Sequence, residues 1–201
     1  LKKIGNPCQD IPAIQIVGTN GKGSIASFLS SILIEANIKV GITTSPHLIS
    51  WTERIKVNNT MISEVQLCNE LKSIEKIVKS EDLTIFESIV IAGLSYFDSQ
   101  NVELLILEAG LGGRLDATTA HNCRPIIAIS SIGLDHCEYL GNNIKQITIE
   151  KASAINEGST VISSYQDPQV IEILKEFSLK HNATLNLVSP LEKKIDISLA
   201  G

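Results

Sequence analysis

The sequence predicts an α/β fold: a mostly parallel, doubly wound sheet with helices on both faces. Continuous apolar runs of strand length, Val102 to Leu107 and Pro125 to Ile132, read as strands buried on both sides. Segments with apolar residues at helical spacing alternate with such runs along the chain, the order that builds parallel sheets. The short run Ala13-Ile14-Gln15-Ile16-Val17 breaks into a glycine-rich stretch and then a helical pattern, giving one complete strand, loop and helix.

In chain order, the helix after that stretch carries Ile25, Phe28, Leu29, Ile32, Leu33 and Ala36 on one face and stops at Asn37. Lys39 to Thr44 is the next strand, and strand, helix, strand units are right-handed. Ser45 to Asn59 is polar and expected to be irregular, a loop long enough to be functional. Ser63 with Gln66 and Thr84 with Glu87 match capping boxes. They open helices with apolar faces Leu67, Leu71, Ile74, Val78 and Phe86, Ile89, Val90, Leu94, Phe97. Asn142 to Ile155 reads as a helix, Thr160 to Ser163 as a strand, Pro168 to His181 as a helix and Thr184 to Val188 as a strand. With no repeat or low-complexity linker, residues 1–201 read as one domain.

The 201 residues are 43% hydrophobic and 19% charged, which excludes a disordered tail. No apolar run reaches the roughly 18 residues of a membrane helix. A signal peptide is not recognisable either, so a cytoplasmic protein is expected. The net charge of −5 argues against a broad surface for nucleic acid or acidic membrane. Cys8, Cys68, Cys123 and Cys137 form no metal-type pair and read as free thiols used in packing. The chain starts at Leu1 and stops at Ile197-Ser198-Leu199-Ala200-Gly201 with no closing element, so it reads as a piece of a longer protein.

Candidate chemistry lies at the carboxyl ends of the strands, where ligands sit in such sheets. Gly18-Thr19-Asn20-Gly21-Lys22-Gly23-Ser24 reads as a P-loop. Its glycines allow backbone N–H groups to face phosphate, the helix terminus adds positive potential, Lys22 reaches phosphate oxygens and Ser24 offers a hydroxyl to Mg²⁺. The strict pattern fails at Ile16 and Gly23; the competing reading is a glycine-rich turn with an exposed lysine. Glu108 ends a buried run just before Ala109-Gly110-Leu111-Gly112-Gly113-Arg114-Leu115-Asp116, where an acidic residue holds Mg²⁺ beside phosphates or merely caps a strand. His136 follows another apolar strand, and Lys151 sits beside Glu150 on the next helix; each has an ordinary structural reading as well.

Taken together and in order, seven segments resemble the folylpolyglutamate synthase and dihydrofolate synthase family of the Mur-ligase-like group. They are the P-loop, Thr44-Ser-Pro-His-Leu48, Glu53-Arg-Ile55, Leu107-Glu-Ala-Gly-Leu-Gly-Gly-Arg-Leu-Asp-Ala-Thr118, Gly133-Leu-Asp-His136, Tyr139-Leu-Gly141 and Glu150-Lys-Ala152. The likeness runs from about Gly5 to Ile155 and is weak beyond. It departs at Thr119, where the family usually has Asn, and at Ser153, where it usually has Gly.

The resemblance implies the ATP-binding central domain of an ATP-dependent ligase, lacking a leading segment and a C-terminal glutamate-ligase domain. That ligase joins L-glutamate to dihydropteroate or a folate through an acyl phosphate. Thr19, Asn20, Gly21, Lys22, Gly23 and Ser24 would bind ATP phosphates. Ser24, Ser45 and Glu108 would hold one Mg²⁺, while His136 and a carbamylated Lys151 would hold a second. Lys22, Glu108, His136 and Lys151 are the candidate catalytic residues, and Thr84, Ile85, Phe86, Glu87 and Leu115 would line a pterin pocket. Partners would be these small molecules only, with no nucleic acid or membrane, and the protein is expected to be a monomer. The alternatives are a cell-wall Mur ligase and a non-catalytic P-loop nucleotide-binding module.

Overall fold

The computed structural model describes residues 1–189; the carboxyl-terminal stretch Ile197 to Gly201 lies outside them. The chain forms an eight-stranded sheet. Its strands are β1 (Ala13–Val17), β2 (Val40–Thr43), β3 (Ile55–Val57), β4 (Thr60–Met61), β5 (Leu104–Glu108), β6 (Ile126–Ile129), β7 (Thr160–Ser164) and β8 (Thr184–Val188). The helices are α1 (Lys22–Glu35), α2 (Glu64–Ser80), α3 (Ile85–Ser99), α4 (Cys137–Leu140), α5 (Ile144–Ala152) and α6 (Pro168–Lys180). The strand order is β4-β3-β2-β5-β1-β6-β7-β8. All pairings are parallel except those of β3 with β2 and with β4.

Residue alternation divides the core. In β5, Leu105 and Leu107 join a cluster with Ile89, Leu94 and Phe97 of α3 and Leu67 of α2, whereas Ile106 turns to the other face. There it meets Ile16, Val40, Ile42 and the Ile25, Leu29, Leu33 stripe of α1. A third cluster joins Val17, Ile127 and Ile129 to α5 and α6, on the same face as α2 and α3. Both capping boxes form: Ser63 accepts the Gln66 N–H, Thr84 accepts the Glu87 N–H, and each partner side chain reaches back. Asn37 ends α1 in the left-handed conformation at φ 61.

The structure corrects several expectations. Phe28 and Ile32 are 72% and 66% exposed, because α1 rests on β1, β2 and β5 and only its Ile25, Leu29, Leu33 side reaches the sheet. Phe28 overhangs a groove of about 470 Å³ shared with Ala128, Ile162 and Val188. The segment from Ser45 to Asn59 is ordered: Trp51–Arg54 is a turn of 3-10 helix, and β3 pairs with β2 through Ile55 opposite Thr43. Glu53 fixes the preceding loop, its carboxylate accepting the N–H groups of Leu48, Ile49 and Ser50 at 2.7 to 2.9 Å. Of the cysteines read as packing residues only Cys8 is buried; Cys68 and Cys137 are exposed and Cys123 is partly buried. The helix expected from Asn142 is α5, preceded by the short α4.

Candidate functional site

β1, β5 and β6 lie side by side in one parallel ladder, so the segments leaving their carboxyl ends meet above the centre of the sheet. The P-loop leaves β1 at Gly18, whose φ is 147 and where an added Cβ would lie 1.9 Å from Ser130 Oγ. Only glycine fits that approach. Gly21, at φ 84, opens α1 with no side-chain cap. The loop is tied to the segment after β6: Thr19 N–H donates to Ser131 O at 2.8 Å, and the Thr19 hydroxyl lies 3.1 Å from both the N and the O of Gly133. The strand, loop and helix context required of a P-loop is therefore present, and Lys22 is the first residue of the helix.

Lys22 Nζ folds back to donate to the carbonyls of Gly18 and Thr19 at 3.1 and 3.2 Å. Lys151, whose ordinary reading would be an exposed lysine on a helix face, is 2% exposed, and its Nζ donates to the same Gly18 carbonyl at 2.8 Å. Burial depresses the Lys151 ammonium to about 8, the Lys22 charge adds to the effect, and Asp135 and Asp116 oppose it. Glu108 is 4% exposed at the end of β5 and accepts the Ser45 N–H at 3.0 Å. Burial raises its pKa, against the Ser45 hydrogen bond and the Lys22 charge. A Cβ on Gly23 would sit 3.6 and 3.8 Å from its carboxylate oxygens, so the start of α1 lies directly against that carboxylate.

Gly23, Ser45 and Glu108 line one hollow of about 320 Å³. Asn20, Gly21 and Ser24 line the neighbouring groove beneath Phe28. His136 stands at φ 45 before α4, with Nε2 3.7 Å from Asp135 Oδ1. Its side chain is half exposed. Among the described residues, no three His, Cys, Asp or Glu gather as a ready-made metal cage.

A second hollow of about 320 Å³ is lined by Thr84, Phe86, Glu87, Leu115 and the whole Leu111 to Ala117 turn, with Tyr139 opposite. Four of the five residues expected around a pterin thus share one recess. Ile85 does not join them: it is 68% exposed and lines a separate apolar groove with Trp51, Leu67 and Leu71. As the first residue of α3 it points to the side of the helix opposite the turn.

Sequence reasoning passed over the residues that hold this turn. Asp116 Oδ2 accepts the N–H groups of Gly110 and Leu111 at 2.8 and 2.9 Å, and Oδ1 accepts the Thr118 N–H at 2.9 Å and its hydroxyl at 2.6 Å. Gln15, fully buried in β1, donates from Nε2 to the hydroxyls of Thr118 and Thr119, both at 2.8 Å. Arg124 donates to Gln15 Oε1, to Ala154 O at 2.7 Å and to His121 O at 2.7 Å. Burial pulls Arg124 down to about 10, so it stays charged at neutral pH. The available signal was Gln15 itself, a polar residue in the middle of an apolar strand.

A P-loop beside a buried carboxylate and two converging lysines can gather anionic oxygens, and the recess beyond Glu108 is roomy enough for a flat heterocycle. The chain matches the Mur ligase middle domain over residues 16–194, so the likeness continues past Ile155. It is 37% identical over 191 residues to the dihydrofolate synthase/folylpolyglutamate synthase of Bacillus subtilis, covering 91% of this chain and 44% of that protein. Mycobacterium tuberculosis folylpolyglutamate synthase, solved in complex with ADP and AMPPCP, superposes with a TM-score of 0.90 at 31% identity, over 98% of this chain and 48% of that one. Escherichia coli FolC, in complex with DHPP and ADP, superposes with a TM-score of 0.82 at 33% identity, over 88% of this chain and 42% of that one. The chain therefore spans less than half the length of these relatives. With its P-loop and its Gly-Leu-Gly-Gly-Arg turn in the matched region, it belongs to the Mur ligase family as a middle domain, and is similar to the corresponding part of the dihydrofolate synthases and folylpolyglutamate synthases.

Proposed function

We propose that this chain is the ATP-binding domain of a ligase that joins L-glutamate to dihydropteroate or to a folate. The observation that carries the reading is the convergence of Lys22 and Lys151 on the Gly18 carbonyl, with Glu108 on the adjacent strand within reach of the Lys22 charge and the Thr84, Phe86, Leu115 recess lined by the turn that follows Glu108. A carboxylate is a poor electrophile. Transfer of the ATP γ-phosphoryl group to it gives an acyl phosphate, which the glutamate amine then attacks with loss of phosphate. Thr19 to Ser24 would cradle the phosphates, and Lys22 would leave its carbonyl partners to neutralise charge as phosphoryl moves.

Mg²⁺ suits part of the expected set. Glu108 and Ser45 line one hollow and offer the hard oxygen donors this ion prefers, while Ser24 faces the neighbouring groove and would have to turn toward them to join. Bound there it would offset phosphate charge. Lys151 as an ammonium has no lone pair to give. Burial favours its neutral form, which can take up CO₂ with loss of a proton and become an anionic oxygen donor. His136 would complete the second site, although imidazole suits softer metals.

ADP release by the complete protein, with ATP and glutamate supplied and dihydropteroate or tetrahydrofolate varied, tests the proposal. Glutamate-dependent release with either pterin supports it and assigns the substrate. Release that needs a cell-wall precursor would make it a Mur-type ligase instead, and release indifferent to glutamate would leave only a nucleotide-binding module. The glutamate site is proposed to lie in the part of the relatives' length that this chain does not span.

A further inference from the structure

Gln15 projects to the face of β1 shared with Ala13 and Val17, which belong to two separate apolar clusters. The gap between those clusters is filled with polar groups, at a position where an apolar side chain would be the simpler solution. Their hydrogen bonds run in one direction. A guanidinium can only donate, so Gln15 must present Oε1 to Arg124 and its NH₂ to the threonines. Each threonine hydroxyl, having accepted from Gln15, passes its proton onward: Thr118 to Asp116 Oδ1 at 2.6 Å, and Thr119 to Gly113 O at 2.7 Å. Asp116 closes the series by holding the Gly110 and Leu111 N–H groups. The series therefore starts at a buried cation, ends at a buried anion, and spans the Leu111 to Ala117 turn that lines the recess.

We propose that Arg124 and Gln15 are positioning residues for the pterin-side recess, acting through Thr118 and Thr119 on Asp116 and the Gly110 to Gly113 backbone. Neither touches the substrate. Arg124 also holds Ala154 O, just after Lys151 and α5, so one guanidinium sets the recess turn against the end of the helix that carries the buried lysine. Thr119 gains a purpose here: where the resemblance would place Asn, its single hydroxyl accepts from Gln15 and donates to Gly113. This inference deepens the proposed ligase function and rests on it for the identity of the ligand, though not for the order of the turn.

The test is Gln15→Glu in the complete protein. The new carboxylate keeps the shape and still accepts from Arg124, but it cannot donate, so both threonines must turn their protons toward it and Thr118 can no longer donate to Asp116. Amide exchange at Gly110 and Leu111 should quicken at least about tenfold, while the amides of α1 exchange as in the wild type. KM for the pterin substrate should rise about tenfold or more, with KM for ATP within twofold. Thr118→Val, which leaves both charges in place, should repeat the pattern in milder form, and Arg124→Lys should restore part of what Arg124→Met loses. Unchanged exchange at Gly110 and Leu111 would overturn the proposal whatever the enzyme does. Equal rises in both KM values, tracking a loss of thermal stability, would reduce the series to a structural filler and overturn it too. A wild-type protein that ligates nothing would refute the ligase reading, and the exchange experiment would still decide this one.

Discussion

Lys22 and Lys151 point their ammonium groups at one oxygen, the carbonyl of Gly18, at 3.1 and 2.8 Å. Two cations on one neutral acceptor repel each other, and the burial of Lys151 makes that repulsion harder to screen. With Lys151 unmodified, the P-loop thus holds an excess of positive charge that phosphates would neutralise; carbamylation of Lys151 would remove it.

Lys22→Ala in the complete protein should lower kcat/KM for ligation by on the order of 10²- to 10³-fold, because the lost contact strengthens as phosphoryl charge moves. Glutamate-dependent ADP release measures it. Wild-type turnover would remove Lys22 from the site.

Lys151 should gain a mass equal to CO₂ in native mass spectra recorded in bicarbonate, and Lys151→Met should not. The pH dependence of stability has a definite sign. With the folded-state pKa lowered to about 8, the native protein binds its proton less readily than the unfolded chain does. The buried lysine therefore costs stability below pH 8, by up to about 3 kcal/mol, and the cost fades as pH rises toward the unfolded value near 10.4. Urea midpoints of the wild type and Lys151→Met, in bicarbonate-free buffer, should differ most at neutral pH and converge in alkali.

Glu108→Gln should keep the fold and raise the Mg²⁺ concentration needed for half-maximal ADP release at least about tenfold, since the amide retains shape but not charge. Burial raises the pKa of Glu108, so the charged carboxylate costs stability above that pKa and the cost disappears as pH falls below the unfolded value. The variant should melt above the wild type at pH 7, the gap closing in acid. An unchanged Mg²⁺ titration would exclude Glu108 as a ligand.

Glu53 is held down to about 2 by the N–H groups of Leu48, Ser50 and Ile49. Glu53→Ala should free that loop, with faster amide exchange at Ile49 and Ser50 and earlier proteolysis beside the exposed Leu48. Because the clasp needs a charged carboxylate, wild-type protection should persist on acidification until pH approaches 2. Loss of protection already near pH 5 would contradict the assignment.

What was legible in the sequence was whatever local chemistry decides. Ser63 and Gln66 fix the start of α2, and Thr84 and Glu87 that of α3, within four residues of chain, so their pattern needs no partner from elsewhere. β1 and β8 were readable from apolar content and their flanking turns. Phe28 and Ile32 were misread because periodicity gives the direction of a helix face and not how much sheet lies beneath it. β3 went unseen because Ile55–Val57 is short and forms by pairing with β2, a non-local event. Within the site, Lys22 and Lys151 meet at the Gly18 carbonyl, whereas Arg124 looked like an ordinary residue ahead of a strand. Its purpose depends on Gln15, distant along the chain and adjacent only after the sheet has formed.

The order β2-β5-β1-β6 gives the molecule two unlike rims. Gly18, Glu108 and the Ile132 to His136 segment all leave from one rim, while Asn37, Asn101 and Asn182, each at positive φ, turn the chain back into β2, β5 and β8 at the other. That second rim is insulated from the chemistry by the full length of the strands. A fluorophore or an affinity handle grafted at the Asn101 or Asn182 turn would report on the protein while leaving the P-loop rim untouched.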